Sequence, residues 1–425
     1  MADRKLIDEC VHCGFCLPTC PTYQSWGEEM DSPRGRIYLM KALNEANAPP
    51  SPTVVRHFDQ CLGCMACVTA CPSGVKYDAL IEQTRAEVEQ HHPRSRADRW
   101  FRAMIFALFP YPSRLKVMLV LQLLYVKTGL RWLAHKLGLA RLMPPRLRNL
   151  EALMPPISAR QLVASLPAFR AAKGTARTRV ALLAGCVQRV YFPDVNEATV
   201  RVLTAEGCDV VIPADLGCCG ALSVHSGRAD EARRFARAAI EALERAAVDT
   251  VVVNAAGCGS SMKEWGRLLQ GDPGWADRAK AMAATTKDIS ELLAELGTIA
   301  PRHPLAVKVA YHDACHLAHA QGIRAQPRAL LCAIPGLELT EIADADQCCG
   351  SAGIYNLVEP ESAREIGARK ADNVLAAAPE LLVSANPGCT LQIQMLLAER
   401  GKSVRTAHPI EVLDASIRGV PLRGG

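Results

Sequence analysis

No apolar stretch in this 425-residue sequence is long enough to cross a bilayer. The longest, from about Val117 to Val126, has Gln122 inside it and runs ten residues, whereas a spanning helix needs roughly 20. The first residues, MADRKLIDEC, contain no signal-peptide core, so a reducing cytoplasmic location is expected. No Gly-x-Gly-x-x-Gly follows a strand-like run, which argues against a βαβ dinucleotide site. Acidic residues are nearly missing between Arg94 and Arg148, where Asp98 stands alone against twelve Lys and Arg. The whole chain carries only +6, so the remainder is net acidic. A nucleic-acid surface would spread its basic charge differently, and no nucleic-acid partner is expected. Cysteine, finally, is absent from about residue 91 to 175.

Elsewhere cysteine is abundant: 18 residues, grouped rather than scattered. Disulfide scaffolds are normally short secreted chains whose small cores need staples. This chain is long enough for two or three ordinary domains, so grouped thiols point to metal. Eight fall within residues 1–90, in two matching runs separated by Ala48-Pro49-Pro50-Ser51-Pro52. The first is Cys10-x2-Cys13-x2-Cys16-x3-Cys20-Pro21, the second Cys61-x2-Cys64-x2-Cys67-x3-Cys71-Pro72.

This is the spacing of bacterial ferredoxins, in which three thiolates wrap one corner of an iron–sulfur cube and the fourth ligates the other cube. Cys10, Cys13, Cys16 and Cys71 are therefore expected to hold one [4Fe–4S] cluster. Cys61, Cys64, Cys67 and Cys20 are expected to hold a second. Thiolate is the soft donor such clusters select. A pair of zinc sites is the alternative, disfavoured because two complete runs each end in Cys-Pro.

The other ten cysteines lie beyond residue 178, in a duplicated unit. Cys186, Cys218-Cys219-Gly220 and Gly257-Cys258 recur as Cys315, Cys348-Cys349-Gly350 and Gly388-Cys389, at offsets of 129, 130 and 131 residues. Each half alternates apolar strand-like runs (RVALLAGC and TVVVNAAGC; KVAYHDAC and LLVSANPGC) with helical stretches, one near 230–246 and its counterpart across 361–377. That pattern predicts parallel α/β units with the cysteines at strand ends, the rim where such sheets hold ligands. Cys186, Cys218, Cys219 and Cys258, and likewise Cys315, Cys348, Cys349 and Cys389, thus offer one or two further iron–sulfur clusters. A reduced thiol pocket or a small structural metal site are the alternatives. Cys208 and Cys332 fall outside the pattern and read as buried packing residues. His312, His316 and His319 flank Cys315 and read as structural rather than ligating.

The expected organisation is an N-terminal two-cluster domain over 1–90, α+β ferredoxin-like or α-helical. A basic, apolar helical linker over 91–177 follows, then two cysteine-rich α/β repeats over 178–300 and 301–425. The linker suits either an anionic membrane surface or a partner subunit.

Several segments together resemble the glycolate oxidase iron–sulfur subunit family: Cys-Val-His-Cys-Gly-Phe-Cys at 10–16, Cys-Pro-Thr-Tyr at 20–23, Asp-Ser-Pro-Arg-Gly-Arg-Ile-Tyr at 31–38, Cys-Pro-Ser-Gly-Val at 71–75, Cys-Cys-Gly-Ala at 218–221, Gly-Cys-Gly at 257–259 and Cys-Cys-Gly-Ser-Ala-Gly at 348–353. The resemblance implies an oxidoreductase subunit with no catalytic residue of its own. Partner FAD subunits would oxidise glycolate, and electrons would cross this chain towards membrane quinone on the inner face of the cell membrane. Sister families share the same motifs: electron-transfer subunits for lactate or glycerol-3-phosphate, and heterodisulfide reductase subunits. The last of these typically end each repeat in Cys-x-x-Cys. Here Cys258-Gly-Ser-Ser261 and Cys389-Thr-Leu-Gln392 lack the fifth cysteine, which argues against disulfide reduction.

Overall fold

The Ser-Pro-Arg-Gly-Arg segment shows how the N-terminal region is built. Ser32 caps the helix Pro33–Ala46 by accepting from the Gly35 N–H (3.0 Å), and Pro33 supplies the fixed φ suited to a first turn. Gly35 is required by crowding: a Cβ there would lie 1.9 Å from the Glu29 carbonyl oxygen. That close approach buries Arg36 beneath the helix. The computed structural model describes residues 2–422, and among these the first strand begins only at Phe169. Of the two forms expected for the N-terminal domain, it takes the α-helical one. The helices Pro33–Ala46, Pro52–Asp59 and Tyr77–His91 enclose a core of Ile37, Met40, Phe58, Leu80, Ile81 and Val88.

Two parallel sheets follow. The first contains β1 (Phe169–Arg170), β2 (Thr178–Leu183), β3 (Cys208–Val211), β4 (Thr250–Val253) and β5 (Thr286–Asp288), in the order β1-β3-β2-β4-β5. The second contains β6 (Val307–His312), β7 (Leu337–Glu341), β8 (Leu381–Ser384) and β9 (Arg405–Ala407), in the order β7-β6-β8-β9. Apart from the antiparallel edge strand β1, the two orders are the same, as the sequence repeat predicts. The long helices Ala229–Ala246 and Pro360–Ala377 are likewise counterparts.

The halves share one core. Val180, Leu182 and Val252 of the first sheet pack into the same buried cluster as Val309, Tyr311 and Val383 of the second. Their helices exchange partners reciprocally: Pro193–Ala205 of the first half packs on Pro409–Arg418 of the second, and Ile289–Leu296 of the first on Ala325–Cys332 of the second. Arg201 clamps one of these contacts through both carboxylate oxygens of Asp414, at 2.9 and 2.7 Å. Cys208 is fully buried here, as expected. Cys332 is not: it ends its helix and faces solvent, because Leu330 and Leu331 take the inward positions.

The basic stretch wraps both halves. Phe101, Ile105 and Phe106 pack on the second half, while Leu115, Leu119 and Leu123 of the helix Pro112–Lys127 pack with Val190 of the first. That helix is apolar all round, so its other face leaves Val117, Leu121 and Leu124 exposed. Beyond it Leu130, Trp132, Leu137 and Leu142 extend the same exposed surface, with Lys127, Lys136 and Arg141 between them. No single helix among the described residues is long and apolar enough to cross a membrane.

Candidate iron–sulfur sites

The two N-terminal cysteine runs fold alike. His12 and Gly14 in the first, Gly63 and Met65 in the second, occupy matching positions and all have positive φ, which curls each loop so that its thiols converge. Cys20 immediately precedes the helix Pro21–Trp26, and Cys71 follows the helix Ala66–Ala70, so each fourth cysteine points away from its own run. Cys71 lines one cavity with Cys10, Cys13 and Cys16. Cys20 lines the other with Cys61, Cys64 and Cys67. Cys67 borders both cavities, so the two sites are adjacent.

The two sites differ in depth. Cys13 is exposed and Cys10, Cys16 and Cys71 are partly so, with Val11 and Phe15 protruding between them. Cys20, Cys61, Cys64 and Cys67 are all buried. Burial raises the Cys16 thiol to about 11 and pushes Cys64 and Cys67 well up. Cys61 is the exception. Burial acts upward on it too, but the guanidiniums of Arg36 and Arg85 outweigh this and hold the thiol below its ordinary value. Its sulfur also lies within hydrogen-bonding distance of the Tyr77 hydroxyl (3.5 Å) and the Gly63 N–H (3.4 Å). Two adjacent cavities, lined by eight thiols between them and with cationic or N–H groups facing the inner set, fit iron–sulfur clusters, which carry net negative charge.

Arg36 is 1% exposed and tied down on three sides. It donates to the Thr22 hydroxyl (3.2 Å), the His57 carbonyl (2.6 Å) and the Asp31 carboxylate (3.2 Å), while the His57 ring also bonds Asp31 (2.9 Å). Sequence reasoning assigned no role to Arg36, Arg85 or Tyr77. A run of basic residues reads as surface, and only the adjacent Ser-Pro cap and Gly35 hint that Arg36 turns inward.

In the first repeat the Cys186 and Cys218 sulfurs lie 3.7 Å apart, and Cys219 borders Cys258. In the second, Cys315 contacts Cys348, and Cys349 contacts both Cys348 and Cys389. Gly220 and Gly350, after each cysteine pair, have φ of +84° and +86°. At Gly350 a Cβ would lie 2.3 Å from the Ala363 carbonyl oxygen, so only glycine fits the turn. The four thiols crowded together in each half, all buried except the partly exposed Cys258, suit a metal or cluster that takes up their negative charge.

The halves are electrostatically unlike. Cys186, Cys218 and Cys219 are all pushed up, by Cys218, Cys219 and Cys258 respectively and by burial, as Cys348 and Cys389 are in the second half. Cys315 and Cys349 are held well down, first by hydrogen bonding from Cys348 and then by further donors, including His316 and His312 respectively. The positions of a fifth cysteine are taken by Ser261 and Gln392, both buried. Gln392 accepts from Asn356 (3.0 Å) and donates to the Ala363 carbonyl (3.2 Å), so it is engaged in packing. His319 is likewise structural: it bonds Thr69, Arg324 and the Asp346 carbonyl.

The N-terminal domain sits on both repeats but places its inner thiols against the second. Leu62, Cys64 and Ala66 pack into one buried cluster with Cys315, Cys348, Tyr355 and Ile366. After burial itself, the nearby Cys315 is the next cause of the raised Cys64 thiol. Polar ties fix the seat: Thr69 to His319 (2.8 Å), Trp26 to Glu365 (3.1 Å), Arg85 to the His225 carbonyl (3.0 Å) and Arg267 to Glu82 (2.8 Å).

Three family models match the chain. A 4Fe-4S dicluster domain covers residues 6–75, a cysteine-rich domain covers 180–263 and again 309–394, and a glycolate oxidase iron-sulfur subunit linker region covers 97–154. The probable glycolate oxidase iron-sulfur subunit of Bacillus subtilis is 41% identical over 97% of this chain and 94% of its own length. The glycolate oxidase iron-sulfur subunit of Escherichia coli is 35% identical over 97% of this chain and 95% of its own. A lactate utilization protein A from Exiguobacterium is 31% identical, but over only 56% of this chain.

Proposed function

Since the chain belongs to the glycolate oxidase iron–sulfur subunit family, we propose that it is the electron-transfer subunit of such an oxidase, beside a flavin-carrying partner that oxidises glycolate to glyoxylate. The observation that carries this reading is the order of the thiol sets, from the exposed Cys13 through the buried Cys64 to Cys315. Iron–sulfur clusters, when bound, take up and release one electron at a time. Cys10, Cys13, Cys16 and Cys71 hold the outer cluster, and the protruding Val11 and Phe15 beside it offer the partner an apolar seat. Cys61, Cys64, Cys67 and Cys20 hold the inner one. Cys315, Cys348, Cys349 and Cys389, and separately Cys186, Cys218, Cys219 and Cys258, hold further iron.

The chain contributes no substrate-converting residue in this reading; its thiolates, Arg36 and the closely packed Cys64–Cys315 junction hold and tune the carriers. The exposed apolar and basic surface of residues 117–142 rests on the inner face of the cell membrane, where quinone accepts the electrons. Glycolate is favoured over lactate because the near-full-length relatives, linker included, are glycolate oxidase subunits.

The test is anaerobic purification of the chain with and without its flavin partner. The lone chain should carry at least about eight iron atoms, show two ferredoxin-type EPR signals on reduction, and fail to reduce a dye with glycolate until the partner is added. Glycolate oxidation by the flavin-free chain would overturn the reading.

A further inference from the structure

Aligning the repeats on their cysteines sets β2 against β6 and places Leu183 opposite His312. The register of the sheets extends the comparison. Leu183 pairs with Val253 across the first sheet, while His312 pairs with Ser384 across the second. One half thus buries two apolar side chains at the strand ends, and the other buries two polar ones at the same place.

Those polar side chains have no nitrogen or oxygen hydrogen-bond partner. His312 is fully buried with only the Cys349 sulfur to interact with its ring, and the buried Ser384 hydroxyl is unsatisfied. Buried polar groups are normally paired, and an orphaned imidazole beside an orphaned hydroxyl needs an explanation. The ring has one at hand: the donor atoms of His312, Cys349 and Cys389 all lie within 4.8 Å of one another. Imidazole and thiolate together are a common donor set for iron and for zinc.

We propose that His312 is a nitrogen ligand of the iron–sulfur cluster held by Cys315, Cys348, Cys349 and Cys389. The inference rests on the reading of those thiols as a cluster site and adds a fifth donor, which the cysteines of this half do not supply. One ring nitrogen would bind iron, which leaves the other for an outer hydrogen bond of the kind that usually holds a ligating histidine. The first half, with Leu183 and Val253, has thiolates alone. A neutral imidazole adds a donor without the negative charge that a fifth thiolate would bring, so the second-half cluster should be easier to reduce than one with five cysteine ligands, as histidine in place of cysteine raises the potential of Rieske centres. It is also the one that adjoins Cys64.

The experiment uses the full-length chain, purified anaerobically with natural-abundance or 15N-labelled histidine and examined by pulsed EPR at poised potentials. A strongly coupled histidine nitrogen is expected on a signal distinct from the two ferredoxin-type ones. His312→Leu, which installs the residue of the first half, should abolish that coupling and lower the iron content. His312→Cys should retain the iron, lose the coupling and lower the midpoint potential. Two results would overturn the proposal: no strongly coupled nitrogen in the wild-type chain, or a coupling that persists in His312→Leu and so belongs to His316, whose Nδ1 is 3.5 Å from the Cys315 sulfur. Absence of the ferredoxin-type signals themselves would instead overturn the electron-transfer reading, so the two failures are distinguishable.

Discussion

Replacing Arg36 by methionine keeps most of the side-chain volume and removes one positive charge from beside the inner cluster site. The structure predicts two separable effects. Asp31 loses its arginine partner inside a protein interior, and the carbonyl of His57 and the Thr22 hydroxyl each lose a donor. Breaking a buried ion pair by removing one partner costs about 3–5 kcal/mol, a large part of the stability of a domain of this size. The second effect is on the cluster. An opposite charge within about 4–6 Å typically moves a proton equilibrium by about 1–3 pKa units. The same electrostatic work on a one-electron couple, at about 59 mV per tenfold, is roughly 60–180 mV. Loss of the cation disfavours the added electron, so the midpoint potential should fall by that amount. Arg36→Lys separates the effects, since it keeps the charge but not the planar fork: stability should drop while the potential stays near its original value. The assay is an EPR-monitored redox titration beside thermal unfolding of both variants. An Arg36→Met protein that retains its cluster at an unshifted potential would refute the reasoning.

Cys20→Ser should deplete the cluster held with Cys61, Cys64 and Cys67 and spare the one held by Cys10, Cys13, Cys16 and Cys71; loss of the opposite EPR signal would mean the ligation is not crossed. Gly350→Ala should cost the second repeat its iron more severely than Gly220→Ala costs the first, because the added methyl meets a carbonyl oxygen at 2.3 Å in one case and 3.2 Å in the other; iron content and protease resistance of the two variants check it. Burial raises the Glu411 carboxyl to about 7, above its ordinary 4.5, so its contribution to stability is fully present below pH 4.5 and is lost as the pH rises through 7. Glu411→Gln should therefore gain on the wild type as the pH rises from 4.5 to 7, by about 3 kcal/mol above that window, and a pH-independent difference in melting temperature would contradict this. Finally, Leu124→Glu with Trp132→Glu should abolish flotation of the chain with anionic vesicles while leaving its iron unchanged; undiminished flotation would count against the membrane seat.

The repeat was legible because cysteine spacing is sparse and distinctive, and with it came the parallel strands, whose apolar runs end just before Cys186, Cys258, Cys315 and Cys389. The short edge strands β1, β5 and β9 were not. Each has two or three residues, too few for an alternating pattern, and each forms only because a longer strand offers it free hydrogen-bonding groups. Spacing alone likewise pairs Cys71 with Cys10, but not Cys64 with Cys315, since that contact is made by two domains about 250 residues apart in the chain. A single histidine near a strand end reads as structural by the usual rule. His319, bonded to the Asp346 carbonyl, obeys it, whereas the missing nitrogen or oxygen partner of the buried His312 ring is a feature that no sequence pattern announces.

The reciprocal exchange of helices between the halves has a historical meaning. When the first helix of one unit packs on the last helix of its copy, and the reverse holds as well, the contact is self-complementary, as in a dimer related by a two-fold axis. The Ala256 N–H donating to the Ala385 carbonyl, at the junction between the units, belongs to the same arrangement. An ancestor with a single unit would have paired with itself in this way, and both of its metal sites would then have been identical. Joining two copies into one chain removed that constraint. In the joined chain one unit carries His312 and Ser384 and packs on the inner thiols of the N-terminal domain, while the other carries Leu183 and Val253 and packs on the helix Pro112–Lys127. The two halves are thus alike in fold and unlike at their cysteine ends, so the molecule has two distinguishable faces.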